Sequence, residues 1–91
     1  MIKFIFSKEG KKLFIKLPEI VQKRIFFKIT LLKEHSNIFS VTKRLENFAP
    51  ATHRLRIGSY RVILELKKHS KTETKFLILS VMHRKEIYKK S

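Results

Sequence analysis

Apolar and polar residues alternate from the first positions. Met1 to Phe6 puts Ile2, Phe4 and Phe6 on one face and predicts a short strand. Ser7 then stands as an N-cap, with Glu9 in the first turn of a helix running to about Leu17. Leu13, Phe14 and Leu17 form its apolar stripe, and Gly10 inside it costs about 1 kcal/mol of helix propensity. Pro18 suits the first turn of a second helix, with Glu19 beside the positive end of its dipole. There Val21, Ile25, Ile29 and Leu32 recur at helical spacing through about Lys33, and Ile20, Phe27 and Leu31 widen the stripe. Both helices are expected to cover one face of a sheet as a hairpin, with the aromatics packed in the core.

Residues 36–52 have no clean period. Leu45 and Phe48 are expected to anchor this stretch to the core, and Pro50 ends any local helix. Alternation resumes at His53, with Leu55 and Ile57 on one side and Arg54 and Arg56 on the other. Gly58-Ser59 reads as a two-residue hairpin loop, followed by a strand from Tyr60 to about Leu66. That strand places Tyr60, Val62, Leu64 and Leu66 opposite Arg61, Ile63 and Glu65. After a polar loop comes a strand from Lys75 to Met82, apolar on both faces and so interior to the sheet. The residues from His83 onward read as a short basic tail. The order β-α-α-β-β-β is an α+β arrangement, a helical hairpin on a small, mostly antiparallel sheet.

The 91 residues are expected to form a single domain, residues 1–91. A hydrophobic fraction of 43% with ten aromatics predicts a real core and excludes a disordered basic tail. Without cysteine there are no disulfides and no thiolate zinc site. The four His and seven Glu lie at unrelated spacings, so no metal or cofactor is expected. No apolar run approaches the roughly 18 residues that span a bilayer, and no signal peptide is visible. A soluble, cytoplasmic protein is the expectation.

Charge changes the picture more than composition does. Twenty-two Lys and Arg stand against seven acidic residues, a net charge of +15 that attracts polyanions. A lysine-rich solvated surface accounts for much of it, since 16 of the 22 are Lys scattered along the chain. The arginines are not scattered. Four of the six, Arg54, Arg56, Arg61 and Arg84, fall in two short segments. Guanidinium grips phosphate at two points and stays charged at any relevant pH, so these segments point toward nucleic acid.

Those segments, His-Arg-Leu-Arg-Ile-Gly-Ser-Tyr-Arg-Val-Ile from His53 and Val-Met-His-Arg-Lys-Glu-Ile-Tyr from Val81, resemble the RelE/ParE superfamily of bacterial toxins. The resemblance covers nearly the whole chain. It implies a RelE-like fold and a cognate acidic antitoxin that wraps and neutralises the toxin. RelE-like members cleave mRNA in the ribosomal decoding site, whereas ParE-like members inhibit DNA gyrase and lack the nuclease residues.

Arg54 and Arg56 match the basic pair before the hairpin in the RelE pattern, Arg61 the hairpin arginine, Arg84 the next, and Tyr88 the terminal tyrosine. The resemblance thus favours the endoribonuclease, with gyrase inhibition as the alternative. It implies metal-free attack of a ribose 2′-OH on the adjacent phosphate, with Arg54, Arg56, Arg61, Arg84 and Lys85 on phosphate. One departure matters. RelE has Lys where this chain has Arg54 and Arg56, and arginine cannot give up its proton to serve as a base. Among so many cations His83 would stay neutral and able to accept a proton, so it is the favoured base, with Tyr88 second. Glu65 is expected to pair with a neighbouring arginine. Tyr60 is expected to pack, and His35, His53 and His69 to lie at the surface.

Overall fold

The computed structural model describes residues 1–89. Five strands and three helices follow one another as β1 (Ile2–Phe6), α1 (Lys8–Ile15), α2 (Glu19–Leu32), β2 (Thr42–Arg44), β3 (His53–Ile57), β4 (Tyr60–His69), β5 (Thr74–His83) and α3 (Arg84–Lys89). A 3-10 turn, Ile38–Ser40, leads into β2. The sheet order is β1-β5-β4-β3-β2; β1 pairs with β5 in parallel and every other pair is antiparallel. This is the α+β arrangement expected, with two additions. Residues 36–52 are not wholly irregular but supply the edge strand β2, and the basic tail opens as α3.

Period-2 alternation sets the register. Leu55 faces Val62 across β3–β4, and Val62 faces Val81 across β4–β5, so these side chains share the face on which α2 packs. Val21, Ile25, Ile29 and Leu32 of α2 are all buried against it, as their spacing predicts. Ile20, Phe27 and Leu31 do not join them. They are exposed, and so is Phe26, because the sheet covers only one stripe of the helix and no further layer among the described residues lies outside it. Phe48 is also exposed rather than an anchor, while Leu45 is half-buried.

The helical hairpin is locked to the sheet by backbone approach. The Ser7 hydroxyl accepts from the Gly10 amide at 2.9 Å, capping α1. The Ser7 amide donates to the Ile78 carbonyl at 2.9 Å, and a β-carbon on Gly10 would fall on that same carbonyl oxygen. Gly10 is thus a contact requirement of the fold, not simply a weak helix former. Gln22 of α2 donates to the Leu17 carbonyl at 2.8 Å and to that of Ile15 at 3.1 Å, satisfying carbonyls left open where α1 ends. No helix among the described residues is long and apolar enough to cross a membrane.

Candidate functional site

On the sheet face away from α2, the register assembles the arginines in two rungs. Arg56 stands directly opposite Arg61 across β3–β4, and Met82 continues that rung on β5. In the next rung Lys43 of β2 faces Arg54, followed by Ile63 and Ser80. Alternation brings Arg54, Arg56 and Arg61 together as expected, and the short strand β2 adds Lys43. The spacing around Lys43 gave no sign of that role, because three residues are too few to show a period.

Arg61 is the fixed member of the group. It is buried, and its Nη1 donates to the carbonyls of Gly58 at 3.1 Å and Tyr60 at 3.0 Å. The hairpin that Gly58 turns, with φ of +59°, therefore clasps the guanidinium it precedes. Arg54 is half-buried and Arg56 exposed. None of the ion pairs among the described residues involves Arg54, Arg56 or Arg84. Glu65 pairs with Lys67 at 3.2 Å, not with an arginine. Glu73, held by Lys3 and Lys68 at 3.0 and 3.2 Å, lies near the opposite end of β5, and Lys3 is the main cause that holds its carboxyl below the ordinary range. The arginine face thus keeps its positive potential.

His83 sits elsewhere. Its partner across β4–β5 is Tyr60, and the two rings meet edge to face at 5.2 Å, on the side of the sheet opposite Arg56 and Arg61. Its Nδ1 accepts from the Lys85 amide at 3.2 Å, so the imidazole caps α3 as an Asn or Ser side chain would. A neutral ring bonded in this way carries its proton on Nε2. Its one basic lone pair is then spent on the helix, and Nε2–H is a donor. The Arg84 amide donates to the Ser59 carbonyl at 2.7 Å, joining the start of α3 to the hairpin, and Arg84 and Lys85 are both exposed there. Tyr88 belongs to α3, but its side chain lies outside the described residues.

His53 is not at the surface. It is buried between Phe39 and Phe76, with ring centroids 5.5 Å from each. The Thr52 hydroxyl accepts from the Leu66 amide at 2.7 Å and meets His53 Nδ1 at 2.9 Å, an arrangement that suits a neutral imidazole. Burial pushes its pKa below the ordinary value, and the charge of Arg44 adds to the effect. This histidine belongs to the core, on the sheet face opposite Arg54, Arg56 and Arg61.

Known proteins set this geometry in context. From residue 5 to residue 88 the sequence matches the family described as the ParE toxin of the type II toxin–antitoxin system parDE. No curated protein sequence matches it. The fold is similar to that of the RelBE2 toxin–antitoxin complex of Mycobacterium tuberculosis, at 24% identity and a TM-score of 0.70, covering 90% of this chain and 96% of that one. It also resembles the RelB–RelE complex of Methanococcus jannaschii, at 23% identity and a TM-score of 0.66, over 92% and 94% of the two chains. The isolated Escherichia coli RelE toxin aligns over 97% of this chain and 92% of its own, at 18% identity and a TM-score of 0.61.

Proposed function

The chain belongs to the ParE toxin family of type II toxin–antitoxin systems, and from that premise we propose that it is an endoribonuclease toxin whose arginine face holds translated mRNA. One observation carries the reading. Lys43, Arg54, Arg56 and Arg61 occupy two adjacent rungs of one sheet face, with Arg56 directly opposite Arg61. Like charges set opposite one another oppose folding, and an anion that spans them would relieve that repulsion.

Cleavage would proceed by attack of a ribose 2′-OH on its own 3′-phosphate, giving a 2′,3′-cyclic phosphate and a free 5′-OH. Arg61, Arg56 and Arg84 stabilise the charge that develops on the phosphorane, and Arg54 and Lys85 hold flanking phosphates. His83, favoured as base from its position in the sequence, has its Nδ1 engaged by Lys85. In this proposal it holds the start of α3, the helix of Arg84 and Tyr88, while Tyr88 takes the 2′ proton and solvent protonates the departing 5′ oxygen. The protein would act in the decoding site of the ribosome and be neutralised by an acidic antitoxin, in keeping with the toxin–antitoxin complexes its fold resembles.

Gyrase inhibition is the second reading. It is favoured by the ParE description of the matching family and by Arg61, whose Nη1 is spent on the hairpin carbonyls. Controlled expression in a bacterium, with transcript integrity and gyrase-linked DNA breaks followed together, separates the two. Shortened transcripts with intact DNA support the nuclease, and intact transcripts with broken DNA support the alternative.

A further inference from the structure

On the α2 side of the sheet, β2, β3 and β4 meet the 3-10 turn around an open cleft of about 580 Å³. Small-molecule sites run from about 300 to 1,000 Å³ and are mostly apolar with a few placed polar groups. Phe39, Leu45 and Leu66 supply the apolar wall here. Phe39 also meets His69 edge to face at 4.9 Å and the buried His53 at 5.5 Å, so three flat rings edge the same space. Arg44 stands at the rim, exposed and in none of the ion pairs among the described residues. None of the described side chains that line the cleft is acidic. Thr42 gives its hydroxyl proton to the Ile38 carbonyl at 3.2 Å, which leaves its oxygen to accept.

We propose that this cleft binds a nucleoside monophosphate, with the base against Phe39 and the leucines, a ribose hydroxyl on the Thr42 oxygen and the phosphate on Arg44. One guanidinium suits one monoester phosphate, which it grips at two points. A di- or triphosphate needs further cations, and Lys43, the neighbour of Arg44, faces the other side of the sheet beside Arg54. An aliphatic acid would leave the ring wall unfilled, and a cationic ligand would meet Arg44. The site lies on the sheet face opposite Arg54, Arg56 and Arg61, so it rests neither on the nuclease reading nor on the antitoxin. Strand β2 joins the two faces, because its consecutive residues Lys43 and Arg44 point to opposite sides. A ligand on Arg44 would tie β2 to β3 and β4 and steady the strand that brings Lys43 to the arginine face.

The test uses the full-length chain with adenosine monophosphate, its halves adenosine and ribose 5-phosphate, and benzoate as a charged ring without a sugar. Adenosine monophosphate should bind with a Kd on the order of 1 mM or tighter, and each other probe at least tenfold more weakly. Its addition should shift the imidazole resonances of His53 and His69 and leave those of His35 and His83 in place. Arg44→Ala should weaken binding at least tenfold with an unchanged circular dichroism spectrum, and Leu45→Trp, which fills the cleft and keeps Arg44, should do the same. Arg56→Glu, on the other face, should bind as the wild type does. No binding up to roughly 10 mM nucleotide would overturn the proposal. So would full binding by Arg44→Ala or Leu45→Trp, or benzoate or ribose 5-phosphate binding as tightly as the nucleotide. Binding that Arg56→Glu abolishes would overturn it too, since the nucleotide would then sit on the arginine face as a piece of substrate. Toxicity is no part of the readout, so failure here leaves the nuclease reading standing.

Discussion

Arg56 and Arg61 face each other directly across the β3–β4 ladder, the exposed guanidinium of one beside the buried guanidinium of the other. Among the described residues the Arg56 side chain makes no ion pair or hydrogen bond. Cross-strand pairs contribute about 0.2–1 kcal/mol in either direction, and this one opposes folding. Arg56→Glu should therefore raise stability by up to about 1 kcal/mol in urea melts while abolishing toxicity on expression. Lower stability with toxicity retained would show that the rung is structural.

Arg61 has a second duty, because its Nη1 ties the hairpin carbonyls. Arg61→Ala should cost about 1–3 kcal/mol through the loss of both hydrogen bonds to the hairpin carbonyls, and should also slow cleavage. Arg61→Lys restores a positive charge but not the fork that reaches both carbonyls and a phosphate. Single-turnover cleavage by a folded Arg61→Lys protein should fall by roughly 10²–10³. A wild-type rate would remove Arg61 from phosphate binding.

His83 can be tested by separating its cap from its chemistry. Asparagine is among the strongest N-caps, so His83→Asn should keep α3 while His83→Ala loses about 0.5–2 kcal/mol. With the cap kept, the Asn variant should cleave close to the wild-type rate, and His83→Ala should cleave more slowly. The wild-type rate should climb well above pH 7, as a tyrosine base requires. A plateau near neutrality that vanishes in His83→Asn would return the base role to His83.

His53 ties stability to pH. Its folded pKa lies below the unfolded value, so the unfolded chain binds the proton more readily. Its contribution is complete above about pH 6.5 and is lost as pH falls through the depressed folded value. Chemical denaturation between pH 7 and pH 5 should show stability declining, and His53→Gln should flatten that slope. An unchanged slope would place the acid sensitivity elsewhere.

Much of this architecture is legible in the sequence, because β1, α2, β3, β4 and β5 each carry several periods of one pattern. The edge strand Thr42–Arg44 is too short to show one. The helix Arg84–Lys89 has no apolar stripe to announce it and begins at a histidine cap that only the fold supplies. Period alone could not tell which of two stripes on α2 would find a partner, so Ile20, Phe27 and Leu31 read as core. The burial of His53 depends on Phe39 and Phe76, both distant in sequence. Within the site the same limits apply. Strand alternation placed Arg54, Arg56 and Arg61 together, whereas separating His83 from them required the β4–β5 register.

The most direct measurement is of the ends left on messenger RNA. Transcripts from cells expressing the wild-type chain, and from cells expressing Arg56→Glu, would be mapped by primer extension and their 3′ termini analysed chemically. The arginine face predicts cuts within codons of translated messages, each leaving a 2′,3′-cyclic phosphate, and none in the Arg56→Glu cells. Intact messages in growth-arrested wild-type cells, with gyrase-linked DNA breaks, would contradict it.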